Sequence, residues 1–156
     1  GRMFDAAAAL AGIRTYTTFE GQAAVDLEQA IDDSEAGTYG LDVVWESNVM
    51  IFDWRELIRD LVSDVRRGCS SGKIAVKFHR AVVQLLVDAA ALAKKQYGSS
   101  SLALSGGVFQ NAYLLYHGLS RLEKCGFNVY LNERVPANDG GISYGQAAAV
   151  SRLAER

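Results

Sequence analysis

Apolar positions along this chain recur at helical spacing in some stretches and in short continuous runs in others, and glycines mark most of the changes between the two. Residues 6–11 are almost all alanine and stop at Gly12, which predicts a short helix. Residues 16–20 are aromatic and threonine-rich and read as irregular or weakly extended. Gly21 leads into a predicted helix over 22–31, with Ala23, Ala24, Leu27, Ala30 and Ile31 at helical spacing and Asp32-Asp33-Ser34 as a polar stop. Residues 41–46 and 49–52 are β-prone runs separated by Ser47-Asn48, a hairpin pattern that could edge or extend a mixed sheet. Asp53 is placed to cap the next helix, with Glu56 three residues on as in a capping box. Leu57, Ile58, Leu61, Val62 and Val65 predict its buried stripe. A glycine- and serine-rich loop over 68–72 breaks that helix, and a longer one over 73–97 follows. Ile74, Phe78, Val82, Leu85, Ala89 and Leu92 fall on one side of it, and Lys94-Lys95 suit the negative end of its dipole.

The second half is organised around Ser105-Gly106-Gly107. Residues 102–104 form a strand-length apolar run, the glycine pair follows, and a helix runs from about residue 112 to about 125, with Leu115, Leu119 and Leu122 inward and Gly126 at its C′ position. Residues 127–131 read as a second strand. Strand, helix and strand in this order predict a βαβ unit with parallel strands, hence an α/β fold. Ligands of such sheets bind beyond the carboxyl ends of the strands, where Ser105, Gly106 and Gly107 lie. Glycines let backbone N–H groups approach an anion, and a helix N-terminus adds unpaired donors and partial positive charge, so phosphate is the natural guest. A glycine pair also serves ordinary tight turns that bind nothing. A second glycine turn, Pro136-Ala137-Asn138-Asp139-Gly140-Gly141, precedes a predicted helix over 143–153, so both turns can flank one cleft.

Composition narrows the function classes. A chain of 156 residues with 49% hydrophobic residues is one domain's worth of sequence and can bury a real core. The formal net charge is -2 without a run of Lys or Arg, which disfavours a nucleic-acid partner. Arg66-Arg67 before Gly68 fits a helix end better than an RNA contact. Cys69 and Cys125 have no CxxC spacing, so the expected compartment is a reducing cytoplasm. Nothing resembles a signal peptide or an 18-residue apolar span, so no membrane partner is expected.

The candidate chemistry is sparse. Gly1-Arg2-Met3-Phe4-Asp5 enters a helix with no preceding strand, as if the chain opened in the middle of a fold. The Gly1 backbone and the Asp5 carboxylate fall on one helical face and could hold a ligand together, although an acidic residue in a first turn is also favoured simply by the dipole. Asp139 suits a metal ion bridging phosphate oxygens, and Asn-Asp-Gly equally suits a turn and helix cap. One carboxylate cannot hold a catalytic metal. His79 and His117 show no HxxxH or HExxH spacing, so further ligands would have to lie outside this chain. His79, beside Phe78 and without a partner at ligand spacing, reads as a structural or surface histidine.

Residues 104–111 (Leu-Ser-Gly-Gly-Val-Phe-Gln-Asn) and 136–146 (Pro-Ala-Asn-Asp-Gly-Gly-Ile-Ser-Tyr-Gly-Gln), with Gly1-Arg2-Met3-Phe4-Asp5-Ala6 and Phe19-Glu20-Gly21-Gln22-Ala23-Ala24 in the right order before them, resemble the C-terminal signatures of the HypF family of hydrogenase-maturation carbamoyltransferases. The resemblance spans essentially the whole chain. It implies one lobe of the fold shared by actin, sugar kinases and Hsp70 ATPases, a ribonuclease-H-like mixed sheet with flanking helices, residues 1–156 forming a single domain that is the second lobe. In that family an upstream domain makes carbamoyl-adenylate from carbamoyl phosphate and ATP, and the lobed domain passes the carbamoyl group to a C-terminal cysteine of the partner HypE.

By the same resemblance, Gly1, Asp5 and Asn111 match positions that hold the nucleoside in the related threonylcarbamoyl-transferases. Ser105, Gly106 and Gly107 match the phosphate turn, and Asp139 the aspartate that binds a divalent metal, whether iron, zinc or magnesium. The first lobe, with the histidine pair that would complete the metal site, is absent from the sequence. A second-lobe fragment inactive on its own is therefore the expectation. The alternatives are a lobe of a tRNA threonylcarbamoyl-transferase, against which the acidic balance and the motif wording speak, and a non-catalytic module that changes shape with nucleotide.

Overall fold

The computed structural model describes residues 1–34, 37–46 and 49–154. They fall into two compact units, Gly1–Ala89 and Ala90–Arg156. The first contains α1 (Arg2–Leu10), α2 (Gln22–Gln29), β1 (Asp42–Glu46), β2 (Val49–Asp53) and α3 (Arg55–Arg66). The long helix α4 (Ser71–Tyr97) runs from it into the second, which holds β3 (Ser101–Leu104), α5 (Ala112–Lys124), β4 (Asn128–Leu131) and α6 (Ile142–Ala154). The fold is α/β, as the pattern of elements predicts.

The core of the first unit gathers on α4. Phe78 is fully buried, meets Phe4 of α1 edge-on at 5.0 Å and stacks with Trp54, just before α3, at 6.5 Å. The expected one-sided apolar stripe of this helix is wider in the structure. Ile74, Ala75, Val76, Phe78, His79, Ala81, Val83 and Val87 are all buried, whereas Val82, Leu85, Ala89 and Leu92 are only half-buried. A helix covered on several sides needs apolar or satisfied residues almost all round, and a single-face count misses that.

His79 is wholly enclosed, its Nδ1 2.8 Å from the Ala75 carbonyl, and it packs edge-on against Phe4. Burial pushes its imidazole below the usual histidine range, so the folded state holds it neutral. The unfolded chain then takes up a proton below about pH 6.5 that the folded chain resists, and stability falls with acidification by up to about 1.4 kcal/mol per pH unit. Denaturant titrations between pH 7.5 and 5.5 should show this slope, and His79→Gln should flatten it; an unchanged slope in the variant rules His79 out as its source.

Two further local expectations are corrected in α3. Val65 is 39% exposed and Asp64 only 3%, because the face turned inward is Leu57, Leu61 and Asp64, at i, i+4 and i+7. Asp64 is tolerated there because Tyr39 Oη donates to it at 3.0 Å, Lys77 Nζ at 3.0 Å and Arg67 at 2.6 Å. The capping box does not form, since the helix begins at Arg55 with Trp54 as N-cap. Asp53 accepts the Arg55 backbone N–H at 3.0 Å and also grips its guanidinium, which lowers the Asp53 carboxyl to about 2, while Glu56 pairs with Arg59.

The hairpin β1–β2 is antiparallel with Val43 opposite Phe52 and Glu46 opposite Val49; the Ser47-Asn48 turn lies outside the described residues. Among the described residues it pairs with no third strand and extends no mixed sheet. Acidic residues at its ends, Asp42 facing Asp53 and Glu46, favour solvent over another strand. In the second unit β3 and β4 pair in parallel as expected, Leu102 beside Val129 and Leu104 beside Leu131. Two helices close as the sequence indicates. Gly68 and Gly126 occupy C′ positions, with Cys69 N–H bonded to the Asp64 carbonyl and Phe127 N–H to that of Leu122.

Candidate functional site

The end of β3 supplies the first wall of the site. Leu104 is buried and anchors the strand, while Ser105 and Gly107 are exposed at its carboxyl end. Gly106 has φ +106° and ψ 157°, a region that side chains with a Cβ rarely enter, so the bend depends on glycine. A single 3-10 turn, Gly107–Gln110, follows, and Asn111 then caps α5 by accepting the Leu114 N–H on Oδ1 at 2.8 Å.

The second glycine turn lies against the first. Gly106 N–H donates to the Ala137 carbonyl at 2.8 Å, and a Cβ placed on Gly107 would come within 3.9 Å of Asn138. Asn138 shapes its own turn by accepting the Gly140 N–H at 3.0 Å. Gly141 packs so closely that an added Cβ would lie 2.4 Å from the Pro136 carbonyl oxygen, so no larger residue fits. Ser105, Gly106, Gly107, Asn138, Asp139 and Gly141 therefore share one region at the rim of the parallel pair. The role of Ala137 is invisible in a sequence, because it acts through its backbone oxygen alone.

Gly107 differs from these neighbours. Its φ is not positive, and an added Cβ would meet only ordinary contacts at 3.9 Å. Neither backbone nor packing demands a glycine there. It opens the 3-10 turn, where the geometry leaves N–H groups without helical partners.

Asp139 is exposed at the start of a 3-10 turn, Asp139–Gly141, that leads into α6, where helix-end N–H groups favour a carboxylate. Among the described residues no group of three or more His, Cys, Asp or Glu could hold a metal ion, so Asp139 does not by itself fit one. His79 is buried in the first unit, and His117 lies against Tyr113 on α5 with ring centroids 4.1 Å apart. In the first unit, Gly1 is the N-cap of α1 and Asp5 stands exposed in its first turn, with its N–H 3.4 Å from the Gly1 carbonyl. The two thus share one helix end, as their spacing predicts. No described helix is long and apolar enough to cross a membrane.

Comparison with known proteins adds a family. Residues 1–146 match the model described as carbamoyltransferase, Kae1-like domain, second subdomain. The chain is 38% identical over 150 residues to the carbamoyltransferase HypF of Synechocystis sp., covering 96% of this chain and 19% of that protein. It is also 38% identical over 151 residues to HypF of Rhizobium leguminosarum bv. viciae, covering 95% and 19%. A solved structure described as full-length HypF in the phosphate- and nucleotide-bound form superposes with a TM-score of 0.93 at 42% identity, covering 100% of this chain and 20% of that one. The fold also matches HypF of T.kodakarensis, with a TM-score of 0.78. The chain spans about a fifth of the length of these relatives. With its glycine turns in the family's order and the match running through residue 146, this chain belongs to the HypF carbamoyltransferase family, as the second subdomain of the Kae1-like domain.

Proposed function

We propose that this chain forms the nucleotide-holding wall of a carbamoyltransferase that moves carbamoyl from carbamoyl-adenylate to a C-terminal cysteine of the acceptor HypE. The observation that carries this reading is Gly107, a glycine that the fold does not require, beside a bend at Gly106 that it does. A backbone kept bare where N–H groups are unpaired suits a phosphate approaching closely. A relative solved with phosphate and nucleotide bound supports the same guest.

In this reading the adenylate phosphate lies at Ser105, Gly106 and Gly107, and Asn111 at the start of α5 holds the nucleoside. The acceptor thiolate attacks the carbamoyl carbon, a C–S bond forms, the C–O bond to the phosphate breaks, and AMP leaves with the electron pair while the thiol proton passes to solvent. Backbone donors at the glycine turn stabilise charge growing on the departing phosphate. Asp139 would hold a divalent cation, iron, zinc or magnesium, only together with ligands from outside these residues, and the cation would supply positive charge beside the phosphate. The family match favours carbamoyl over threonylcarbamoyl as the group moved.

Gly107→Ala separates the roles. Its melting temperature should match the parent's, while affinity for AMP, weak in one subdomain and on the order of millimolar, should fall about tenfold or more by calorimetry. Equal AMP binding by the variant, or none by the parent chain, defeats the reading.

A further inference from the structure

Gln110, Asn111 and Asn138 carry carboxamides at the two glycine turns of the second unit, and they are not used alike. Asn111 Oδ1 accepts the Leu114 N–H, and Asn138 Oδ1 accepts the Gly140 N–H, so each shapes its own backbone. Gln110 does neither. It ends the 3-10 turn that Gly107 opens, it is exposed, and its Oε1 lies 3.9 Å from the point that a Cβ on Gly107 would occupy. Among the described residues its carboxamide makes no hydrogen bond. The amide thus edges the bare face of Gly107 with its oxygen and both of its N–H donors open to a ligand. The segment it closes is neutral, with no charged residue from Ser99 through Gln110.

We propose that Gln110 reads the carbamoyl group itself, its carboxamide pairing edge to edge with the carbamoyl amide through two hydrogen bonds. The inference rests on the reading that places an adenylate phosphate at Ser105, Gly106 and Gly107. The carbamoyl carbon is joined to that phosphate through a single oxygen, which brings it beside the face of Gly107 that Gln110 borders. A carboxamide presents a donor and an acceptor side by side in one plane, and an unsubstituted carbamoyl group presents the complementary pair. In a trans amide the nitrogen substituent lies on the side of the carbonyl oxygen, where the second N–H would point. An N-substituted group such as threonylcarbamoyl therefore keeps only one of the two bonds, and so does an acyl group without nitrogen. A site built to pair with an N–H discriminates against a guest that lacks it.

Titrations followed by NMR, which reaches weak affinities, test it with carbamoyl phosphate and acetyl phosphate, two acyl phosphates that differ in NH2 against CH3. Inorganic phosphate reports separately on the glycine turn. The parent chain should bind carbamoyl phosphate roughly fivefold more tightly than acetyl phosphate, the worth of one neutral hydrogen bond. In Gln110→Met, which keeps the volume, and in Gln110→Ala, that ratio should fall to about one while the melting temperature stays with the parent's, since the exposed carboxamide holds nothing in the fold. A parent that binds inorganic phosphate and both acyl phosphates without preference, or variants that keep the preference, would overturn the inference and leave the phosphate turn standing. A parent that binds none of the three defeats the nucleotide reading and this inference together.

Discussion

Phe78→Ala is expected to destabilise the first unit by about 3–5 kcal/mol, the range for emptying a buried phenylalanine site. Phe78 has no exposed surface and touches α1 through Phe4, the start of α3 through Trp54, and its neighbour His79. The hole left behind would be lined by rings fixed on separate elements, which cannot collapse together without moving a helix. For a chain of this length the loss corresponds to a fall of roughly 6–20 °C in melting temperature. Phe78→Leu, which keeps most of the volume, should cost much less. A thermal scan that places the alanine variant within about 1 kcal/mol of the parent would mean that Phe78 is not the centre of this core.

Asp64→Ala is the second large effect, also about 3–5 kcal/mol at neutral pH, because it removes the carboxylate from a cluster that buries it. Asp64 is 3% exposed and Lys77 is mostly covered, so the ammonium loses a partner where water replaces it poorly. Burial pushes the Asp64 carboxyl up, but bonds from Lys77, Tyr39 and Arg67 outweigh it and hold the group below the usual carboxylate range. Burial, reinforced by the same carboxylate, raises the Tyr39 phenol far above its ordinary value. With the folded value depressed, Asp64 stabilises the fold above the unfolded value of about 3.9 and ceases to do so as pH falls through its folded value. Urea titrations should therefore show the parent losing stability below about pH 4 more steeply than Asp64→Ala. Parallel pH curves for the two proteins would show the cluster to be dispensable.

Local chemistry was legible in the sequence wherever one residue type does one job. The glycine stops at Gly68 and Gly126, the strand–helix–strand order after Tyr97, and the bend at Ser105–Gly107 follow from backbone rules that act within a few residues. The ordered motifs reached further, because four short matches in one order are far more specific than any single glycine pair, and the family match through residue 146 agrees with them. Reading failed where a choice depended on distant partners. Val65 and Asp64 are adjacent on α3, and hydropathy places the valine inside; Tyr39 and Lys77, 25 and 13 residues away, reverse that by satisfying the aspartate. The capping box failed for a local reason instead, since Arg55, two residues on, takes Asp53 for itself.

What the sequence determined by itself is where the backbone must bend and which segments form helices or strands, because those preferences act over a few bonds. Tertiary structure decided which face of each helix is inside, that the described strands form two separate two-stranded sheets, and that Ala137 and Asn138 meet Gly106 and Gly107. Such outcomes depend on contacts between residues tens of positions apart, whose free energies exist only once the chain has closed on itself.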